Sequence, residues 1–187
     1  PEDIRIILLA FDGNKKGLQQ ALIKQDNSGW TPLHHAASNT NPESMVALIT
    51  GLQQAFDGDK EELQKALTQK NSTPLHWAAQ KDNPETVTTL IHLLKQAFNG
   101  DPQGLQDALL QQDNNNKAPI HYAALNNNPE VMRVIIDLLQ QVFDGDPQGL
   151  QDALLQQNRF GGKLLNYAAL NNNPEVMRVI IDLLQQV

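Results

Sequence analysis

The chain of 187 residues contains no cysteine. Disulfide frameworks, thiolate metal sites and cysteine nucleophiles are therefore excluded. This composition suits a reducing compartment, so we expect a cytoplasmic protein. Basic side chains are also scarce, since 14 Lys and Arg stand against 21 Asp and Glu for a formal net charge of −7. Because the few basic residues form no run, we expect no nucleic-acid partner.

Long apolar segments and catalytic motifs are missing too. No stretch of the chain approaches the roughly 18 consecutive apolar residues of a membrane span, and none resembles a signal peptide. We therefore expect no membrane partner. There is no Gly-rich phosphate loop after a strand and no nucleophile within a recognisable motif. The sequence predicts a protein that is not an enzyme and binds no cofactor.

What the chain does contain is a repeat. Residues 73–79 read TPLHWAA, and three other segments match them: TPLHHAA at 31–37, APIHYAA at 118–124 and KLLNYAA at 163–169. The four segments begin 42, 45 and 45 residues apart, and we number the units that they define one to four, each unit including the short loop just before its segment. A fixed period of this size indicates a solenoid, in which each unit packs on its neighbours.

The repeated segment has the signals of a helix start. Threonine is a good N-cap, because its hydroxyl can accept a bond from a free backbone N–H, and proline fits the first helical position. Leu75 is then expected to point inward, and the two alanines allow neighbouring helices to approach closely. We expect the first of these helices to end near Ser38.

The segment resembles the ankyrin repeat, because TPLH followed by one variable residue and two alanines occurs twice intact and once nearly so. The resemblance covers four copies and most of the chain. It implies an all-α, ankyrin-like solenoid of stacked helical repeats, with a histidine that hydrogen-bonds across the start of each repeat. It also implies one repeat domain over residues 1–187, with a partial repeat at 1–30 and repeats that start near 31, 73, 118 and 163, the last of them truncated.

The units are longer than an ordinary ankyrin repeat of about 33 residues. Each Asn-Pro-Glu triplet, beginning at Asn41, Asn83, Asn128 and Asn173, predicts the start of a second helix. The excess length follows that helix. There Asp101-Pro102 supplies a cap and a first-turn proline, and Leu105, Ala108 and Leu109 form an apolar face. We therefore predict three helices in each complete unit and no β-hairpin between units. An additional apolar helix is expected to begin at Pro1.

The histidines and aspartates of the repeats suggest two kinds of metal site, and each has a structural alternative. The histidines of the repeated motif, His34, His76 and His121, lie on helices that stack about 8 to 10 Å apart, too far to share one zinc ion. In unit four Asn166 replaces the histidine. A structural histidine is therefore favoured over a ligand. The aspartates of the Asp-Gly turns could suggest calcium, but the pattern lacks the alternating ligands of an EF-hand, so helix capping is favoured. These aspartates are Asp57, Asp59, Asp101, Asp144 and Asp146.

The ankyrin resemblance also implies where a protein partner binds. Ankyrin arrays usually hold partners on the turn tips and on the exposed side of the first helix. In this sequence the corresponding residues are Trp30, Ser38, Asn39, Gln80, Lys81, Lys117, Leu125, Asn126, Phe160 and Leu170. We expect Trp30 to be the hot spot, with its substitution by alanine weakening binding by roughly 2 kcal/mol while leaving stability nearly unchanged. For His35, Trp77, Tyr122 and Tyr167, packing between units is favoured over partner contact.

A second functional class remains open, a structural spacer or an engineered repeat scaffold without a dedicated partner. Residues 122–142 and 167–187 are identical, whereas a tuned binding surface should differ between units. Trp30 and Phe160-Gly161-Gly162 favour a binding module, because they are irregular where a spacer would be uniform.

We expect a monomer and a piece of a longer array. The long, Asn- and Gln-rich units resemble ankyrin-like repeats that intracellular bacteria deliver into host cells.

Overall fold

The computed structural model describes residues 10, 11, 13–39, 41–69 and 72–186 of the chain. The helix expected to begin at Pro1 lies outside these ranges, apart from its last residues. Twelve helices lie wholly within them, and no strand occurs in the described residues. The helices are α1 (Lys15–Ile23), α2 (Pro32–Ser38), α3 (Pro42–Ala55), α4 (Lys60–Leu67), α5 (Pro74–Gln80), α6 (Pro84–Ala97), α7 (Pro102–Leu110), α8 (Pro119–Leu125), α9 (Pro129–Val142), α10 (Pro147–Leu154), α11 (Leu164–Leu170) and α12 (Pro174–Leu184).

The predicted three-helix unit is confirmed. Unit one contains α2, α3 and α4, unit two contains α5, α6 and α7, and unit three contains α8, α9 and α10. Unit four contributes α11 and α12, and α1 is the third helix of the partial repeat before unit one. The first helix of each unit packs on the first helix of the next, and the second helices stack in the same way. The result is an all-α stack of units, as predicted.

The second helices begin at the Asn-Pro-Glu triplets for the predicted reason. The side chain of Asn41 accepts the backbone N–H of Glu43, and Pro42 occupies the first helical position. Equivalent asparagine caps open α6, α9 and α12. The first three of these helices end at a turn whose glycine has a positive φ, for example +79° at Gly58, a conformation that side chains other than glycine's rarely adopt.

The third helices are held by side chains that reach into the next unit. Gln19 of α1 donates to the carbonyl oxygen of Ala55, in the last turn of α3, at 2.8 Å. Gln64 of α4 and Gln106 of α7 make the same bond to the last turns of α6 and α9. The last carbonyls of a helix have no partner within that helix. The extra helices α1, α4 and α7 therefore each complete the end of a second helix in the following unit.

The threonine caps of the first helices differ from the prediction. The side chains of Thr31 and Thr73 make no bond to a free N–H of the helix. Instead, each hydroxyl bonds Nδ1 of the motif histidine, at 2.7 Å in His34 and 2.8 Å in His76. The hydroxyl therefore holds the imidazole ring and does not cap the helix.

The apolar core is distributed along the stack. Leu33, Leu75 and Ile120, at one motif position, are only 2 to 3% exposed. The second alanine of the motif is fully buried in units one to three. In unit four the equivalent Leu165 is 41% exposed, and Ala169 is exposed as well. In units one to three the following unit covers these residues. The apolar core therefore forms only where two units pack together.

Among the described residues, no helix is both long enough and apolar enough to cross a lipid bilayer.

Candidate functional site

Three histidines on the first helices each join two neighbouring units. Nδ1 of His34 accepts the backbone N–H of Thr31 at 3.2 Å, and Nε2 lies 2.9 Å from the carbonyl oxygen of Ser72, in the loop that opens unit two. Because a carbonyl oxygen can only accept, Nε2 carries the proton and the imidazole is neutral. The same pair of bonds links His76 to Thr73 and Lys117, and His121 to Ala118 and Gln156.

The surroundings of these histidines keep them neutral. Burial lowers the pKa of His76 to about 4, and burial also lowers the pKa of His34 and His121 below the ordinary 6.5. Both ring nitrogens are occupied by hydrogen bonds, which leaves neither of them for a metal. No group of histidines and carboxylates in the described part of the chain could hold a metal ion. The structural role favoured from the sequence agrees with these bonds.

Three of the five aspartates of the Asp-Gly turns show the capping role that the sequence favoured, whereas Asp57 and Asp144 cap none of the described helices. The carboxylate of Asp59 accepts the backbone N–H of Glu62, at the start of α4. Asp101 and Asp146 make the equivalent bond to Gly104 and Gly149, at the starts of α7 and α10.

A polar residue organises the turn before the first helix in units one, three and four. The carboxylate of Asp113 accepts the backbone N–H groups of Asn115 and Lys117, and also the hydroxyl of Tyr122 at 2.6 Å. Burial raises the pKa of Asp113, but these hydrogen bonds outweigh it, and the net pKa lies below the ordinary 3.8. Asp26 with His35, and Asn158 with Tyr167, repeat the arrangement in units one and four.

The fifth motif position therefore has a structural function. His35, Tyr122 and Tyr167 each bond the turn residue of their own unit. Trp77 occupies this position in unit two, and its indole N–H has no hydrogen-bond partner among the described residues. Packing was favoured over partner contact for these four residues, and their bonds and ring contacts support that interpretation.

The expected hot spot, Trp30, is a half-buried residue. Its ring centroid lies 4.3 Å from that of Trp77 in the next unit and 5.0 Å from that of His35. The side chain thus fills the space between two successive units. Because such aromatic contacts stabilise packing, the expectation that Trp30→Ala would leave stability unchanged does not fit this geometry.

Asn126 was expected to face a partner, but it is only 6% exposed. Its side-chain amide donates to the carbonyl oxygens of Ala79 and Lys81 in the preceding unit, at 3.1 and 2.6 Å. Asn171 forms the same bridge between units three and four. Asn recurs two residues before three of the four Asn-Pro-Glu triplets, but the exposed Asn39 shows that this recurrence alone does not identify the role. Asn126 joins units and offers no side-chain surface to a partner.

Most of the other expected contact residues lie at the surface. Gln80 and Asn39 are exposed, and so are Leu125, Leu170 and Phe160, by 37, 73 and 82% respectively. Ser38, Lys81 and Lys117 are half-buried. Ser38, Gln80, Leu125 and Leu170 occupy the last position of the first helix in successive units. We call these four residues the helix-end row.

Stacked helical units joined by hydrogen bonds define this protein as an all-α repeat solenoid. The family model described as "Ankyrin repeats (3 copies)" matches residues 6–99 and 52–144, and the chain therefore belongs to the ankyrin-repeat family. The predicted resemblance is thus confirmed. No curated protein sequence matches the chain at a significant level. Ankyrin repeats are generally protein–protein interaction modules, and the family is typically not enzymatic.

Proposed function

We propose that this chain is a non-catalytic module that binds a partner protein along the helix-end row and the adjacent turns. The observation that supports it most directly is the exposure of Leu125. This residue has a complete unit before it and helices of unit four after it, and 37% of its surface still remains exposed. The two alanines just before it are fully buried. The stack therefore does not require the side chain at this position.

The row also differs in chemistry from unit to unit, from Ser38 and Gln80 at one end to Leu125 and Leu170 at the other. The exposed Phe160 lies on the turn before α11, and the half-buried Lys81 directly follows Gln80 of the row. A mixture of apolar centres and polar neighbours is typical of protein interfaces. Trp30, Asn39 and Lys117 remain in the proposed surface, whereas the buried Asn126 does not.

The proposal includes several properties of the whole chain. Residues 1–187 would act as one repeat domain, because side-chain hydrogen bonds connect successive units. The net charge of −7 does not favour a nucleic-acid partner. We also propose a monomer located in the cytoplasm, which the cysteine-free composition suits.

The test compares capture and affinity for matched variants. Proteins that the chain retains from a cell lysate are identified, and binding of the strongest one is measured by calorimetry. Leu125→Asp should weaken that binding at least tenfold, the ratio that corresponds to about 1.4 kcal/mol. Val46→Asp is the control, because Val46 is an exposed apolar residue, 51% accessible, on the second helix of unit one.

The outcomes separate the two functional classes. Binding that tolerates Leu125→Asp as well as Val46→Asp contradicts the proposed surface. A chain that retains no protein favours the second class, a spacer or engineered scaffold. The identity of residues 122–142 and 167–187 is the observation that favours this alternative.

A further inference from the structure

A notch of about 260 Å³ opens between units two and three, on the side of the turns. Trp77 and Tyr122, the fifth motif residues of the two units, both line it, together with Ser72 and the carboxylate residue Asp113. Gln80 of the helix-end row reaches the same notch. The notch therefore adjoins the surface proposed to bind a partner.

The notch exists because a small residue stands at a position that a large side chain fills in units one and three. The last residue before the repeated motif is Trp30 in unit one and Lys117 in unit three. Trp30 lies against both His35 and Trp77, which are the fifth motif residues of units one and two. In unit two this position is Ser72, whose side chain is too short to fill the equivalent space.

Lys117 shows which group fits between two such rings. Its ammonium nitrogen lies 5.3 Å from the ring centroid of Tyr122 and 4.9 Å from that of Tyr167. A cation at this distance is attracted by the negative face of an aromatic ring. One unit earlier, Trp77 and Tyr122 offer a similar pair of rings, and the space beside them is open.

The charge around the notch also favours a cation. Asp113 contributes a carboxylate, and the described residues that line the notch include no lysine or arginine. His76, which also lines it, is neutral because its Nδ1 accepts the backbone N–H of Thr73 while its Nε2 donates to the carbonyl oxygen of Lys117. The three hydrogen bonds that Asp113 accepts leave capacity for another donor, because a carboxylate has about four acceptor positions.

We propose that this notch binds the side chain of a lysine or arginine presented by the partner protein. The cation would lie between Trp77 and Tyr122, as Lys117 lies between the next two rings, and close to the carboxylate of Asp113. This inference rests on the proposed protein-binding function and adds a chemical requirement for the partner, a basic residue at the centre of its contact.

The test uses the whole chain and three blocked pentapeptides, Gly-Gly-X-Gly-Gly, in which X is arginine, lysine or citrulline. Citrulline has nearly the shape of arginine but no charge. The chain has only two tryptophans, so the indole N–H of Trp77 gives one of two resonances in a nitrogen-15 NMR spectrum. The arginine and lysine peptides should shift the Trp77 resonance to saturation, whereas the citrulline peptide should not.

Asp113→Asn provides the decisive variant. Asn158 holds the equivalent place in unit four and accepts the backbone N–H groups of Phe160 and Gly162, so asparagine preserves the turn. The variant should bind the arginine peptide about fivefold more weakly or worse, through loss of the charged acceptor. Asp26→Asn, the same change in the turn of unit one, is the matched control and should leave the affinity unchanged.

A substitution that fills the notch with a side chain of the protein itself gives an independent check. Ser72→Lys should place a lysine where Lys117 stands one unit later and should abolish the peptide shifts. A Trp77 resonance that no cationic peptide shifts overturns the proposal. So does equal binding of the citrulline peptide, or equal affinity of Asp113→Asn. Leu125→Asp should not change the peptide titration, so failure of the notch and failure of the wider binding surface are distinguished.

Discussion

Individual side chains in this protein make contacts both within their own unit and with the neighbouring unit. The motif histidine orients the start of its own helix through Nδ1 and reaches the next unit through Nε2. The ankyrin resemblance implied the first contact, with a histidine that hydrogen-bonds across the start of its repeat. The second requires a carbonyl oxygen 41 residues away from His76 in sequence, which no local pattern identifies.

Two substitutions in the repeated motif compare the stability that comes from side-chain burial with the stability that comes from a hydrogen bond. Leu75→Ala should destabilise the chain by about 2 to 5 kcal/mol, because Leu75 is 3% exposed and its loss leaves a cavity. Thr73→Ala should cost about 1 kcal/mol or less. It removes one hydroxyl bond to His76, while the backbone bond to Nδ1 remains, as it does at Ala118 in unit three.

The measurement is the free energy of unfolding in urea for both variants. If Thr73→Ala lowered the free energy of unfolding as much as Leu75→Ala does, the hydroxyl bond would contribute as much to stability as the burial of Leu75. That result would contradict the prediction.

Helices in this array depend on their neighbours more than on their own sequence. Helices α8 and α11 share the segment Tyr-Ala-Ala-Leu, yet the second alanine is fully buried in α8 and exposed in α11. Helix α11 also begins with Lys163-Leu164, where α8 has a proline at its first position. Short helices draw most of their stability from tertiary packing.

Helix α11 should therefore open before the other first helices. Amide hydrogen exchange on the 187-residue chain should show lower protection over residues 164–170 than over residues 119–125, which serve as the matched control. The reason is that α8 packs between two first helices and α11 packs on one. Equal protection of the two helices would mean that the preceding unit alone holds the first helix.

The whole molecule contains one histidine link between each pair of described units, and this makes its stability sensitive to acid. In the folded chain, burial lowers the pKa of His34, His76 and His121 below 6.5, to about 4 for His76. An unfolded histidine with an ordinary pKa binds its proton first as the pH falls. Proton uptake therefore favours the unfolded chain below about pH 6.5.

We expect the free energy of unfolding to be nearly constant above pH 6.5 and to fall between pH 6.5 and about 4. Each histidine can contribute at most about 1.4 kcal/mol per pH unit. The titratable groups near these histidines are His35, Asp26, Asp113 and Lys117. The pKa values of Asp26 and Asp113 lie below 3.8, so both carboxylates remain charged through most of this range.

Urea unfolding of the chain and of His121→Asn, measured from pH 4 to 8, checks this prediction. Asparagine follows the example of Asn166, whose side chain accepts the backbone N–H of Lys163. The variant should lose part of the acid slope, whereas substitution of the exposed His92 by asparagine should keep it. An identical slope in His121→Asn would show that the acid sensitivity has another origin.

The sequence by itself determined the fold of this protein. The recurring motif, the Asn-Pro-Glu caps and the period of 42 to 45 residues specify stacked units of three helices, because capping and helical periodicity are local properties. The same repetition separated the fixed positions from the variable ones, and so predicted most of the surface proposed to bind a partner.

Only the tertiary structure decided which of the variable residues are free. Asn126 bonds the preceding unit, Trp30 fills the space beside Trp77, and the short side chain of Ser72 leaves a notch between Trp77 and Tyr122. These roles depend on distances between residues about 45 positions apart in sequence, the length of one repeat. Local propensity carries no information on such distances, because they are set when one unit packs on the next.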